Sequence, residues 1–88
     1  MKLRGEFVVR QVMDDIVAVP VGETALRLNG MIMLNNVSRL IWECLEQDTE
    51  VGKIADAVTE AFEVSRQEAL ADIEEFLAQL RKAQLLEE

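Results

Sequence analysis

Ala25-Leu26-Arg27-Leu28-Asn29-Gly30-Met31-Ile32-Met33-Leu34 carries the strongest local signal in the chain. Asn-Gly between two apolar segments favours a two-residue type I′ turn, because both residues accept positive φ at little cost. The flanks then pair as a tight hairpin. In that register Leu28 faces Met31 and Leu26 faces Met33, while Arg27 opposes Ile32 and Ala25 opposes Leu34 on the other side. Upstream, Phe7-Val8-Val9-Arg10-Gln11-Val12 and Ile16-Val17-Ala18-Val19 are rich in β-branched and aromatic residues. Asp14-Asp15 supplies a turn between them, and Pro20 and Gly22 close the second strand.

Downstream the period changes from two to 3.6. Val37, Leu40, Ile41, Cys44 and Leu45 define a first helix with Asn35 or Asn36 placed to cap it. Val51, Ile54, Ala55, Val58, Ala61 and Phe62 define a second, with Thr49 as its N-cap and Gly52 weakening its first turn. The third spans residues 66–83, opened by the capping box Ser65-Arg66-Gln67-Glu68. Its apolar stripe is Ala69, Ile73, Phe76, Leu77 and Leu80, and Arg81 and Lys82 sit where the helix dipole favours cations.

Strands followed by three helices make an α+β arrangement. The last two helices, joined by Glu63-Val64, form a helix-turn-helix, and the hairpin beside them completes a winged helix. Length allows one domain over residues 1–88, burying roughly 60–65% of its unfolded surface. No apolar run approaches the roughly 20 residues that span a bilayer, and Met1–Glu6 does not resemble a secretory signal. The expectation is a cytoplasmic protein that engages no membrane.

Composition narrows the chemistry. There is no histidine and a single cysteine, Cys44. The usual general base near neutral pH is missing, and so is the commonest metal ligand. A lone thiol makes no intramolecular disulfide, in keeping with a reducing compartment. Cys44 lies on the apolar stripe of the first helix with nothing to activate it, so it reads as core. No loop has the spacing of a calcium site. Asn36-Val37-Ser38 matches a glycosylation sequon, which means little without a secretory signal. Asp72 and Glu75 share a helix face, but a solvated carboxylate face is the commoner explanation for such a pair than acid–base catalysis. The expectation is a non-enzyme with no metal and no cofactor.

Charge argues against nucleic acid. Residues 1–34 are neutral overall, and the net −8 lies entirely in residues 35–88. The third helix, which would be the recognition helix of a DNA-binding winged helix, has a net charge of −1. Duplex affinity depends on phosphate contacts that an acidic helix repels.

The hairpin points instead to a protein partner. Leu26, Leu28, Met31 and Met33 form one apolar face, with Ile32 and Leu34 on the other. Three short helices do not bury both. The remaining side is open to an extended peptide added at a strand edge, or to a second copy in a homodimer. Methionine lets such a surface adapt to its ligand.

Gly30-Met31-Ile32-Met33-Leu34-Asn35, Leu40-Ile41-Trp42-Glu43, Ile54-Ala55, and then Ala69, Asp72-Ile73, Phe76-Leu77, Leu80 and Leu85-Leu86 together resemble the PqqD family over nearly the whole chain. The family takes its name from pyrroloquinoline quinone biosynthesis. The resemblance implies a winged-helix precursor peptide recognition element, which binds the leader of a ribosomally made peptide and presents it to a modifying enzyme, often a radical S-adenosylmethionine enzyme. It implies a leader added as a strand in a groove walled by the third helix. Carried onto this chain, the site residues are Leu28, Met31, Ile32 and Met33 with Asp72, Phe76 and Gln79. Two departures stand out: Gln84 occupies a position where relatives often have glycine, implying a less sharp helix end, and Ala25–Leu28 lengthens the β region. The rival readings are a winged-helix DNA-binding regulator and a homodimerising interaction module.

Overall fold

A computed structural model describes residues 1–88. The element order is β1 (Lys2–Leu3), β2 (Phe7–Val12), β3 (Asp15–Pro20), α1 (Gly22–Arg27), β4 (Ile32–Leu34), α2 (Asn36–Leu45), α3 (Val51–Ala61), α4 (Arg66–Lys82) and β5 (Leu86–Glu87). The α+β winged-helix expectation holds, with a fourth, short helix added. No helix is long and apolar enough to cross a membrane.

β2 and β3 form the expected hairpin, registered from Phe7↔Pro20 to Val12↔Asp15. The turn falls on Met13-Asp14, one residue earlier than the acidic pair implies, and Met13 takes φ 58. The Asn29-Gly30 hairpin does not form. Residues 22–27 are helical, and β4 pairs antiparallel with β3 through Ile16↔Leu34, Val17↔Met33 and Ala18↔Ile32. Of the Asn29-Gly30 pair only Gly30 is left-handed, at φ 91, so the two positive φ angles of a type I′ turn are absent. Two forces override the local signal. Ala25, Leu26 and Arg27 are among the better helix formers, and pairing with β3 lets Ile32 and Leu34 join the core.

Thr24 anchors α1 at the end of the sheet. It is buried, and its hydroxyl accepts the Glu6 amide at 2.8 Å. Gly5 makes this approach feasible: it sits at φ 108, and a Cβ there would lie 2.9 Å from the Thr24 hydroxyl oxygen.

Strand alternation sorts the sheet into two faces. Ile16, Ala18 and Leu34 point into the core, with Phe7, Val9 and Ile32 packed against it. Val8, Val12 and Met33 are exposed on the other face, where Val17 lies between its cross-strand partners Arg10 and Met33.

The helices follow their stripes. α2 contributes Ile41, Trp42 and Leu45, α3 contributes Ile54, Ala55 and Val58, and α4 contributes Ala69, Ile73, Phe76, Leu77 and Leu80 to one cluster. Asn35 caps α2 with a full capping box, its side chain accepting the Ser38 amide at 2.8 Å while the Ser38 hydroxyl accepts the Asn35 amide at 2.8 Å. The N-cap of α3 is Glu50 rather than Thr49, and no side chain caps it. The Thr49 amide instead donates to the Met1 carbonyl at 2.8 Å. Ser65 caps α4 by accepting the Glu68 amide at 3.1 Å, but Glu68 returns its carboxylate to the Ser65 hydroxyl rather than to the backbone.

α4 ends sharply, against the expectation drawn from Gln84. The Leu85 amide reaches back to the Leu80 carbonyl at 2.9 Å, and the Gln84 amide to Arg81 at 2.9 Å. This is a Schellman motif. Gln84 occupies its left-handed position at φ 61, where a side chain is strained. Gln84→Gly is therefore expected to stabilise the fold by about 0.5–1 kcal/mol, raising Tm by several degrees in a thermal melt. Past the motif, β5 pairs with β1 through Leu3↔Leu86, and the Arg4 amide donates to the Leu85 carbonyl at 2.7 Å.

Candidate functional site: a cleft beside an open strand edge

β4 is the last strand of the sheet, whose order is β2-β3-β4. Beyond its ladder with β3, no backbone hydrogen bond involves residues 31–34. Its outer edge therefore keeps unsatisfied amide and carbonyl groups, the feature that accepts an added strand. The edge is bounded on one side by the Gly30 bend. On the other, the Asn35 amide is consumed by the Ser38 hydroxyl.

Alongside this edge lies an open cleft of about 250 Å³ between β4, the start of α2 and the face of α4. Met33, Val37, Ile41 and Phe76 supply its apolar surface. Asn35, Ser38, Asp72, Glu75 and Gln79 supply polar groups. The α4 contribution follows from helix geometry: residues 72, 75, 76 and 79 stand at i, i+3, i+4 and i+7 and so share one face. Ile41 and Phe76 are 1% and 6% exposed, so they serve the core and floor the cleft together. Met33 is 55% exposed and points away from the core, which leaves it free to rearrange around a ligand.

Of the residues expected at a site, Met33, Asp72, Phe76 and Gln79 come together here. Leu28, Met31 and Ile32 do not line the cleft. Ile32 alternates to the core side of β4. Met31 precedes the strand and is exposed. Leu28 packs partly against the core and borders a separate hollow with Arg4, Thr24 and Gln84. Their placement follows from the hairpin that does not form. Asn35, Val37, Ser38, Ile41 and Glu75 complete the lining and were not singled out as site residues. Their signal was present in the cap and stripe of α2 and in the Asp72–Glu75 spacing, but only the tertiary pairing brings α2 next to β4.

The cleft lining contains no histidine and no cysteine. Cys44 lies outside it, and burial, followed by the adjacent Glu43 carboxylate, holds its thiol above the ordinary range. Asp72 and Glu75 are exposed carboxylates rather than a pair in a dry pocket.

The structure is a winged helix whose sheet ends in a free margin beside its last helix. The family comparison agrees: residues 9–86 match the family model described as Coenzyme PQQ synthesis protein D (PqqD), and the chain belongs to the PqqD family. Among solved structures, TbiB1 in complex with the TbiA(beta) leader peptide superposes with a TM-score of 0.72 at 26% sequence identity, covering 99% of this chain and 95% of that one. No curated protein matches the chain significantly.

Proposed function

We propose that this protein binds the leader segment of a ribosomally made precursor peptide and presents it to a modifying enzyme. The leader adds as a strand to the outer edge of β4, with its side chains seated against α4. The observation that carries this reading is the unpaired β4 edge bordering a polar-rimmed cleft with an apolar floor. Membership of the PqqD family and likeness to a protein solved with a leader peptide support it.

The role is non-catalytic. With no histidine and a protonated, half-buried thiol, the chain offers no activated nucleophile or base. Chemistry belongs to the partner, for which a radical S-adenosylmethionine enzyme is the reading the family favours. Duplex DNA is disfavoured as a ligand. Besides the net charge of α4, two of its three cations are engaged, Arg66 with Asp56 at 2.7 Å and Arg81 with Glu88 at 2.9 Å. The outer sheet face around Val8, Val12 and Met33 is where a second copy would cover apolar surface, and sedimentation across a concentration series tests that state.

The site is tested by titrating the leader of a precursor encoded beside this protein into ¹⁵N-labelled protein. Amides of residues 31–34 and of residues 72–79 are expected to shift, and those on the β4 edge to gain protection from hydrogen exchange. Shifts confined to α3 or to the β1–β5 pair would remove β4 as the binding edge.

A further inference from the structure

The cleft is charged on one side only. Asp72 and Glu75 line it, and no lysine or arginine does. α4 offers neither a neutralising partner: the positions three or four residues from one or the other are Glu68, Ala69, Ala71, Phe76, Ala78 and Gln79. Neither carboxylate takes part in any ion pair of the structure. Two free carboxylates thus stand beside the apolar floor made by Phe76 and Ile41.

The separation of Asp72 from Phe76 is close to the side-chain repeat of a strand. Side chains on one face of a strand recur about every 6.6–6.8 Å. Asp72 and Phe76 are one helical turn apart, about 6 Å along the axis. A peptide paired with β4 turns every second side chain toward α4, so a cation and an apolar residue two positions apart share the face that looks onto these groups.

Resting on the peptide-binding reading, we infer that the cleft selects an extended segment carrying a lysine or arginine two residues from a large apolar residue. The apolar side chain sits on Phe76 and Ile41, and the cation lies against Asp72 and Glu75. Because the carboxylates are exposed, the cation contributes specificity and encounter rate more than raw affinity, about five- to twentyfold in Kd at low salt, and less as salt rises.

The test is selection of random twelve-residue peptides displayed on phage against the whole protein, against the double variant Asp72→Asn/Glu75→Gln, and against Met33→Asp. The double variant is close to isosteric and alters only exposed groups, and a thermal melt verifies its fold. Enrichment of Lys or Arg two positions from Leu, Ile or Phe is expected on the unmodified protein. That enrichment should vanish on the double variant while the apolar preference persists. A synthetic peptide of the selected sequence should weaken five- to twentyfold when its cation becomes Gln. Peptides that need Met33 but show no basic preference would overturn the charge inference and leave the cleft standing. Peptides indifferent to Met33→Asp, or no selected peptides at all, would overturn the cleft reading and this inference with it.

Discussion

Replacing Met33 with aspartate is expected to weaken leader binding about a hundredfold while leaving the fold nearly intact. Met33 sits at the middle of β4, borders the cleft and is 55% exposed, so the free protein draws little stability from it. Binding would cover the remaining apolar surface, worth on the order of 1 kcal/mol. Aspartate forfeits that gain, and its carboxylate must be desolvated beneath the incoming strand, a cost that attraction to a peptide cation offsets only in part. Together these amount to roughly 2–3 kcal/mol of binding free energy. Stability should fall by no more than about 1 kcal/mol, the cost of a poor strand former on a solvated face. Isothermal titration paired with a thermal melt separates the two effects. Unchanged affinity with unchanged Tm would exclude β4 from the interface.

Trp42→Ala is expected to produce the largest loss of stability, about 3–5 kcal/mol. Trp42 is 2% exposed on α2, and the Phe7 ring meets it edge-on at a centroid separation of 5.0 Å. The contact joins the first strand of the sheet to the helices. Its removal opens a cavity that neither layer closes alone, and adds the loss of an aromatic pair. Domains of this size have about 5–15 kcal/mol in total, so Tm should drop by about 15–30 °C. Urea unfolding measures it directly. A loss below about 1.5 kcal/mol would show that sheet and helices repack without this bridge.

The helical half was legible because its signals are local and redundant. Asn35 and Ser65 announce their helices, and the stripes through Ile41, Ile54 and Ile73 repeat often enough to fix their buried faces. The sheet was legible only in its first hairpin. Asn29-Gly30 has the composition of a tight turn, but turn preference is worth less than the burial that Ile32 and Leu34 gain beside β3. β1 and β5 are two residues each and lie at opposite ends of the sequence, so no periodicity marks them. The cleft inherits both outcomes. Its α4 wall, with Asp72, Phe76 and Gln79, follows from helical spacing together with the family resemblance. Its other wall depends on which strand is last in the sheet, a non-local fact that sequence spacing does not contain.

The brevity of β4 matters for survival as well as recognition. An unpaired, apolar strand margin is the usual seed of fibrils, since each copy can template the next. Here the margin offers three residues, shut off by a glycine bend and a capped helix, on a chain carrying −8. That length suits one visiting segment steadied by neighbouring side chains, yet is too short to zip copies into a stack. The unoccupied protein is thus expected to stay dispersed rather than polymerise through its β4 margin.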